Sequence, residues 1–166
     1  MAAPVPQPGW RFLFARPAHF IAFGFGAGLL PRAPGTAGTL VALVPAWLML
    51  DWPLAVRIAI VAALFVGGIF VCGASARKVA THDHPSIVFD EIVGFLVATL
   101  VLAAGDGMLW LVPAFLFFRL FDIWKPWPIR DLDHRLAGGL GIMLDDLMAG
   151  VYAAVCLEAL RLLLVQ

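Results

Sequence analysis

The chain has 166 residues, 63% of them hydrophobic and 13% charged, with eleven basic and eleven acidic residues and a mean hydropathy of +0.97. A soluble domain carries about 25% charged residues, and a single domain of this length has too little interior to bury the excess. Lipid is therefore the expected solvent, and the expected fold is all-α, an integral membrane helical bundle; with zero net charge, no nucleic-acid partner is expected.

The first stretch, MAAPVPQPGWRFLFARPAHF, is rich in proline and carries two arginines. It lacks an apolar core ending in a small-residue cleavage site, so a signal peptide is not expected. Residues 1–22 are expected to form an N-terminal cytoplasmic segment and residues 23–166 one membrane-embedded domain. Apolar segments follow at 36–50, 53–72, 87–104, 108–121 and 144–165, which gives about four to five membrane helices. A spanning helix needs about 20 residues. Several of these segments reach that length only if their polar ends continue the helix; the other reading is short helices in a thinned site.

The connections divide into two kinds. Asp51-Trp52 and Gly105-Asp106-Gly107 are minimal turns, whereas 1–35, 73–91 and 122–143 are long and charged. Counting crossings places the three long regions on one side of the membrane. Nine of the eleven basic residues lie in these regions or at their edge: Arg11, Arg16, Arg32, Arg77, Lys78, Lys125, Arg130 and Arg135 within them, and Arg119 three residues before the last region. Positive residues stay cytoplasmic, so that face, and an active site built on it, is expected to be cytoplasmic, with the C-terminus outside. Cys72 and Cys156 lie in apolar segments without metal-ligand spacing and read as buried free thiols.

The polar regions hold the chemistry. GFGAGLLPRAPGTAGT, residues 24–39, is a glycine-rich run entering a helix. Free N–H groups there suit an anion; a tight turn with small residues for helix packing explains the stretch equally well. Lysine does not follow in the pattern of a Walker loop. In HDHPSIVFDEIVG, Asp90 and Glu91 begin an apolar helix. Carboxylates cap helix N-termini, but ionisable groups flanked by Ile87-Val88-Phe89 and Ile92-Val93 at membrane depth point to function. His82 and His84 suit a surface or a ligand role equally. Asp145 and Asp146 again begin an apolar helix. Gly94 and Gly150 each follow an aspartate by four residues, so the two helices are expected to pack closely on those faces and bring their acids together. Clustered carboxylates require a cation, and hard oxygen ligands suit Mg²⁺. Arg119, Asp122, Lys125 and Arg130 surround that site in sequence and suit phosphate. Trp124 and Trp127 fit the headgroup interface.

Four blocks, GFGAGLLPRAPGTAGTL, DHPSIVFDEIVG, FRLFDIWKPWPIRDLD and GGLGIMLDDLMAGVY, resemble in order the signature blocks of bacterial phosphatidylglycerophosphatase A and cover most of residues 23–152. The resemblance implies an all-helical, Mg²⁺-dependent lipid phosphatase of the cytoplasmic membrane that hydrolyses phosphatidylglycerol phosphate. It also implies acidic motif residues Asp90, Glu91, Asp122, Asp145 and Asp146. Taken together, Asp90, Glu91, Asp145 and Asp146 are expected to hold Mg²⁺, with Asp122 beside them. Arg119, Lys125 and Arg130, with Arg32 and the Gly35, Thr36 and Thr39 region, are expected to hold phosphate. The expected partners are the phospholipid substrate and membrane lipids. The rival readings are a Mg²⁺-dependent lipid phosphotransferase with a nucleotide-lipid substrate and a divalent-cation transporter; the second requires ionisable residues deep in several spans.

Overall fold

The computed structural model describes residues 8–79, 84–103, 105–131 and 136–164; His82 and Arg135 lie outside this range. Its described residues contain helices and no strand. Two short helices, α1 (Trp10–Leu13) and α2 (Pro17–Ala22), lead through 3₁₀ turns at Gly24–Leu29 into α3 (Pro34–Met49). Then come α4 (Leu54–Val79), α5 (Phe89–Ala98) with a 3₁₀ turn at Thr99–Val101, a 3₁₀ turn at Met108–Trp110 running into α6 (Leu111–Trp124), and α7 (Gly139–Leu164).

All five apolar segments became helices, but two are longer than their apolar runs. The run expected to end at 72 continues to Val79, and the one expected to start at 144 starts at Gly139. Gly-Ala-Ser-Ala-Arg-Lys contains no proline and nothing else that forbids helix, so α4 simply projects beyond its apolar part. At about 1.5 Å per residue, the 26 residues of α4 and of α7 exceed the ~30 Å hydrocarbon core. These two are long and apolar enough to cross a membrane; α3, with 16 residues, is apolar but shorter.

At the centre is α5, which packs on α3, α4, α6 and α7. Phe89, Asp90 and every residue from Ile92 to Ala98 are buried. Helix α5 is apolar all round because it has neighbours all round. The 3₁₀ turn that follows it is tied down by Arg57 of α4. That guanidinium is 2% exposed and donates to Thr99 O and, at 2.6 Å, to Leu102 O. At the same end Arg161 of α7 pairs with Asp106 at 3.2 Å and with Glu158 at 2.8 Å. The start of α4, the Thr99–Val101 turn, Asp106 and the end of α7 therefore meet at one end of the bundle, and the starts of α3, α5 and α7 meet at the other.

The N-terminal helices pack onto this bundle. Leu13, Ala22 and Phe23 are fully buried, and His19 Nδ1 is 2.9 Å from Ser75 Oγ of α4. Burial, with Arg16 and Lys78 nearby, pushes the His19 pKa down. His84 is also buried rather than at the surface; its Nδ1 accepts the Ser86 N–H at 3.1 Å. Cys72 and Cys156 are free, the first buried and the second half-buried.

The close packing expected at Gly94 and Gly150 is present. A Cβ on Gly94 would stand 2.5 Å from the Asp146 carbonyl oxygen, and one on Gly150 would stand 2.3 Å from the Gly94 carbonyl oxygen. The two backbones touch, and nothing larger than hydrogen fits between them. Either glycine replaced by alanine should cost about 1–3 kcal/mol of overpacking. In detergent this reads as a Tm lowered by about 2–10 °C. Unchanged Tm in both variants would mean that α5 and α7 do not cross here.

Candidate active site

Asp90 and Glu91 occupy the first turn of α5, where the helix dipole favours anions. Asp145 and Asp146 are different: α7 begins at Gly139, so they lie nearly two turns inside it and cannot serve as caps. Both face the bundle. Asp90 and Asp145 are each 6% exposed and Asp146 3%. One carboxylate oxygen from each of Asp90, Glu91 and Asp146 falls within a common 4.8 Å. Three acids gathered in a poorly hydrated place repel one another unless a cation sits among them.

The cations arrive from α6. Its last turns carry Arg119, whose Nη1 pairs with Asp122 Oδ2 and stands 3.9 Å from Glu91 Oε1. The helix ends at Lys125, which adopts a left-handed φ of 45° and returns its N–H to Phe121 O at 2.8 Å. Its Nζ donates to Asp145 Oδ2 at 2.6 Å. Buried Glu91 Oε2 and Arg119 Nε have no hydrogen-bond partner among the described residues. A carboxylate oxygen and a guanidinium N–H left in this condition are suited to a ligand.

These groups line a cavity of about 300 Å³. It is closed on the α3 side by Ala33, Pro34 and Gly35, before α5 by Pro85 and Ile87, and on α6 by Ile123. Gly35 is there for space: a Cβ would stand 2.0 Å from Glu91 Oε1. The start of α3 therefore sits against the acids, with proline at its first helical position and Ala33 in the left-handed region before it.

All five expected acids come together with Arg119, Lys125 and Gly35. Other expected residues are elsewhere. Arg32 is exposed and does not line the cavity, nor does Thr36. Thr39 is buried in α3, its hydroxyl donating to Gly35 O at 2.9 Å. Arg130 lines a neighbouring pocket of about 380 Å³ with Trp124, Pro126, Trp127 and Asp131, which shares only Lys125 with the acidic cavity. Sequence reasoning missed Pro85, Ile87 and Ile123. They adjoin motif residues, but an apolar wall leaves no signature in a chain this apolar.

An all-oxygen donor set on α5 and α7 thus stands opposite Arg119 of α6 and Lys125 just after it. The family model described as phosphatidylglycerophosphatase A matches residues 20–161, the stretch that contains the whole of this site. The chain belongs to the phosphatidylglycerophosphatase A family. A relative of that name from Escherichia coli is 40% identical over 147 residues, 87% of this chain and 83% of that protein. Another of the same name from Haemophilus influenzae is 41% identical over 159 residues, 93% of this chain and 95% of that protein. A third, from Bacteroides thetaiotaomicron, is 37% identical over 147 residues, 85% of this chain and 91% of that protein; its name provisionally makes it a phosphatidylinositol-3-phosphatase. No solved structure matches the chain.

Within this family of phosphatases, Gly35→Ala separates site geometry from folding. Alanine suits a helix better than glycine by up to about 1 kcal/mol, so Tm should hold or rise. The methyl group displaces Glu91, and phosphatase activity should fall about 10- to 100-fold, the cost of misplacing a group by about an ångström. Wild-type turnover with unchanged Tm would show that Glu91 need not occupy its position beside Gly35.

Proposed function

We propose that this protein hydrolyses phosphatidylglycerol phosphate to phosphatidylglycerol and inorganic phosphate, a step of phospholipid biosynthesis, in a Mg²⁺-dependent reaction. The observation that carries the chemistry is the Asp90, Glu91 and Asp146 cluster within 4.8 Å, facing Arg119. The names of its relatives support the lipid.

The donor set fits the ion. Asp90, Glu91 and Asp146 offer hard carboxylate oxygens within 4.8 Å of one another and would hold Mg²⁺ between them. Asp145 stands one residue from Asp146, its charge balanced by Lys125. When bound, Mg²⁺ supplies charge neutralisation at the phosphate and an activated water. Arg119, steadied by Asp122, takes non-bridging phosphate oxygens and stabilises the charge that grows on them. Lys125 adds a second positive charge on the same side. Pro34 and Gly35 bring the N-terminal end of α3, whose dipole favours an anion, to the same cavity. Burial of the acids keeps bulk water from competing for them.

The transporter reading is weaker on this geometry, because the acids collect at one end of the bundle and do not form a track through it. In the reading favoured here, the protein is a multi-pass protein of the cytoplasmic membrane, with four to five membrane helices and the cavity facing the cytoplasm. The nine-to-two distribution of basic residues supports that orientation.

Purified protein should release phosphate from phosphatidylglycerol phosphate with Mg²⁺ and none after EDTA. Asp90→Asn, Glu91→Gln and Asp146→Asn should each lose on the order of 10²-fold or more in rate. Phosphatidylinositol 3-phosphate belongs in the same assay; faster release from it would replace the proposed substrate, and full turnover after chelation would remove the metal.

Topology has its own measurement. Reporter fusions should place the N-terminus in the cytoplasm and the C-terminus outside. Two cytoplasmic termini would mean an even number of crossings.

A further inference from the structure

A second cavity, of about 450 Å³, lies between α3 and the Met108–Leu116 stretch that begins α6. Only apolar side chains line it, among them Leu40, Val44 and Trp47 on one wall and Met108, Val112 and Leu116 on the other. It is framed by the same two helices as the carboxylate cavity, farther along each. On α3, Leu40, Val44 and Trp47 follow helical spacing along the groove wall, and Ala33, Pro34 and Gly35, at the start of the same helix, line the acidic cavity. On α6, Leu116 is followed at three and seven residues by Arg119 and Ile123, which also line the acidic cavity. One stripe on α6 thus runs from the polar cavity into the apolar groove, and α3 borders both.

We propose that this groove seats an acyl chain of the substrate whose phosphate is held among the acids; this rests on the lipid phosphatase reading. Leu40 lies five residues beyond Gly35 and Leu116 three before Arg119, so the groove opens about 5–8 Å from the polar cavity. Trp47 lies twelve residues beyond Gly35, which puts the far end about 18 Å away. A lipid phosphate has this shape: a charged head a few ångströms from a long apolar chain. The groove is a reason for the enzyme to prefer an acylated substrate to the bare headgroup.

The test uses Val44→Trp and Val112→Trp in nanodiscs. Both side chains are 59% exposed, so a larger group fills the groove without overpacking the core. Two substrates are compared: long-chain phosphatidylglycerol phosphate and its deacylated form, glycerophosphoglycerol phosphate. Each variant should lose about tenfold or more in kcat/KM on the long-chain lipid, the loss from about two methylenes no longer seated. The deacylated substrate should be turned over at the wild-type rate. Equal losses on both substrates, or no loss on either, overturn the proposal. So does a change in oligomeric mass in these variants, which would give the groove to a second copy of the chain. If the wild-type protein hydrolyses neither substrate, the function falls separately. The groove is then read by photolabelling with phosphatidylglycerol carrying a diazirine in its acyl chain. Labels concentrated on Leu40–Trp47 and Met108–Leu116, and displaced by the tryptophan variants, sustain the seat; labels spread over all exposed helices overturn it.

Discussion

The contact between the backbones of α5 and α7 sets the rest of this structure. Gly94 faces the Asp146 carbonyl and Gly150 faces the Gly94 carbonyl, each with room for no Cβ. Asp90 stands one turn before Gly94, and Asp146 one turn before Gly150. The two glycines therefore fix the acids as well as the helices: the register that lets the backbones touch also brings the carboxylates together. In lipid the hydrophobic effect does not drive helices together, and small residues that permit van der Waals contact take over that role.

Such proximity has an electrostatic cost. Five carboxylates line the cavity, and the cationic side chains lining it are Arg119 and Lys125. Arg119 is paired with Asp122 and lies near Glu91, and Lys125 is paired with Asp145. The Asp90, Glu91 and Asp146 oxygens lie within 4.8 Å of one another, and a phosphate would add negative charge beside them. This imbalance supports a divalent cation more strongly than the presence of acids does, since isolated acidic pairs commonly cap helices. For Asp145 and Asp146 the capping explanation fails outright, because α7 starts at Gly139.

Much of this was legible before the structure. The five apolar segments, the acids and the glycine contact follow from periodicity and spacing, because a helix repeats every 3.6 residues and lipid suppresses other backbone forms. The ends of α4 and α7 were harder: a polar stretch continues a helix or leaves it with equal ease when no proline intervenes. Phosphate-side residues were the least legible. Thr39 carries a hydroxyl beside a glycine-rich turn, but it spends that hydroxyl on Gly35 O. Arg130 is near Arg119 in sequence, yet the turn after Trp124 directs it to a different pocket. Linear proximity to a motif does not determine which side of a turn a side chain faces.

Arg57 shows how the short central helix is possible. At ten residues, α5 rises only about 15 Å, so its last carbonyls end inside the bundle, far from water. An unsatisfied carbonyl there would cost on the order of 1–3 kcal/mol. Arg57 is one of the two basic residues outside the nine grouped in sequence. In the fold it is 2% exposed and donates to Thr99 O, at the C-cap of α5, and to Leu102 O, just after the turn that follows. A buried cation and buried carbonyl oxygens, each costly alone, satisfy one another. This fixes the far end of α5 as the glycine contact fixes its near half. The acids at its N-terminus are consequently carried on a helix that packs on α3, α4, α6 and α7.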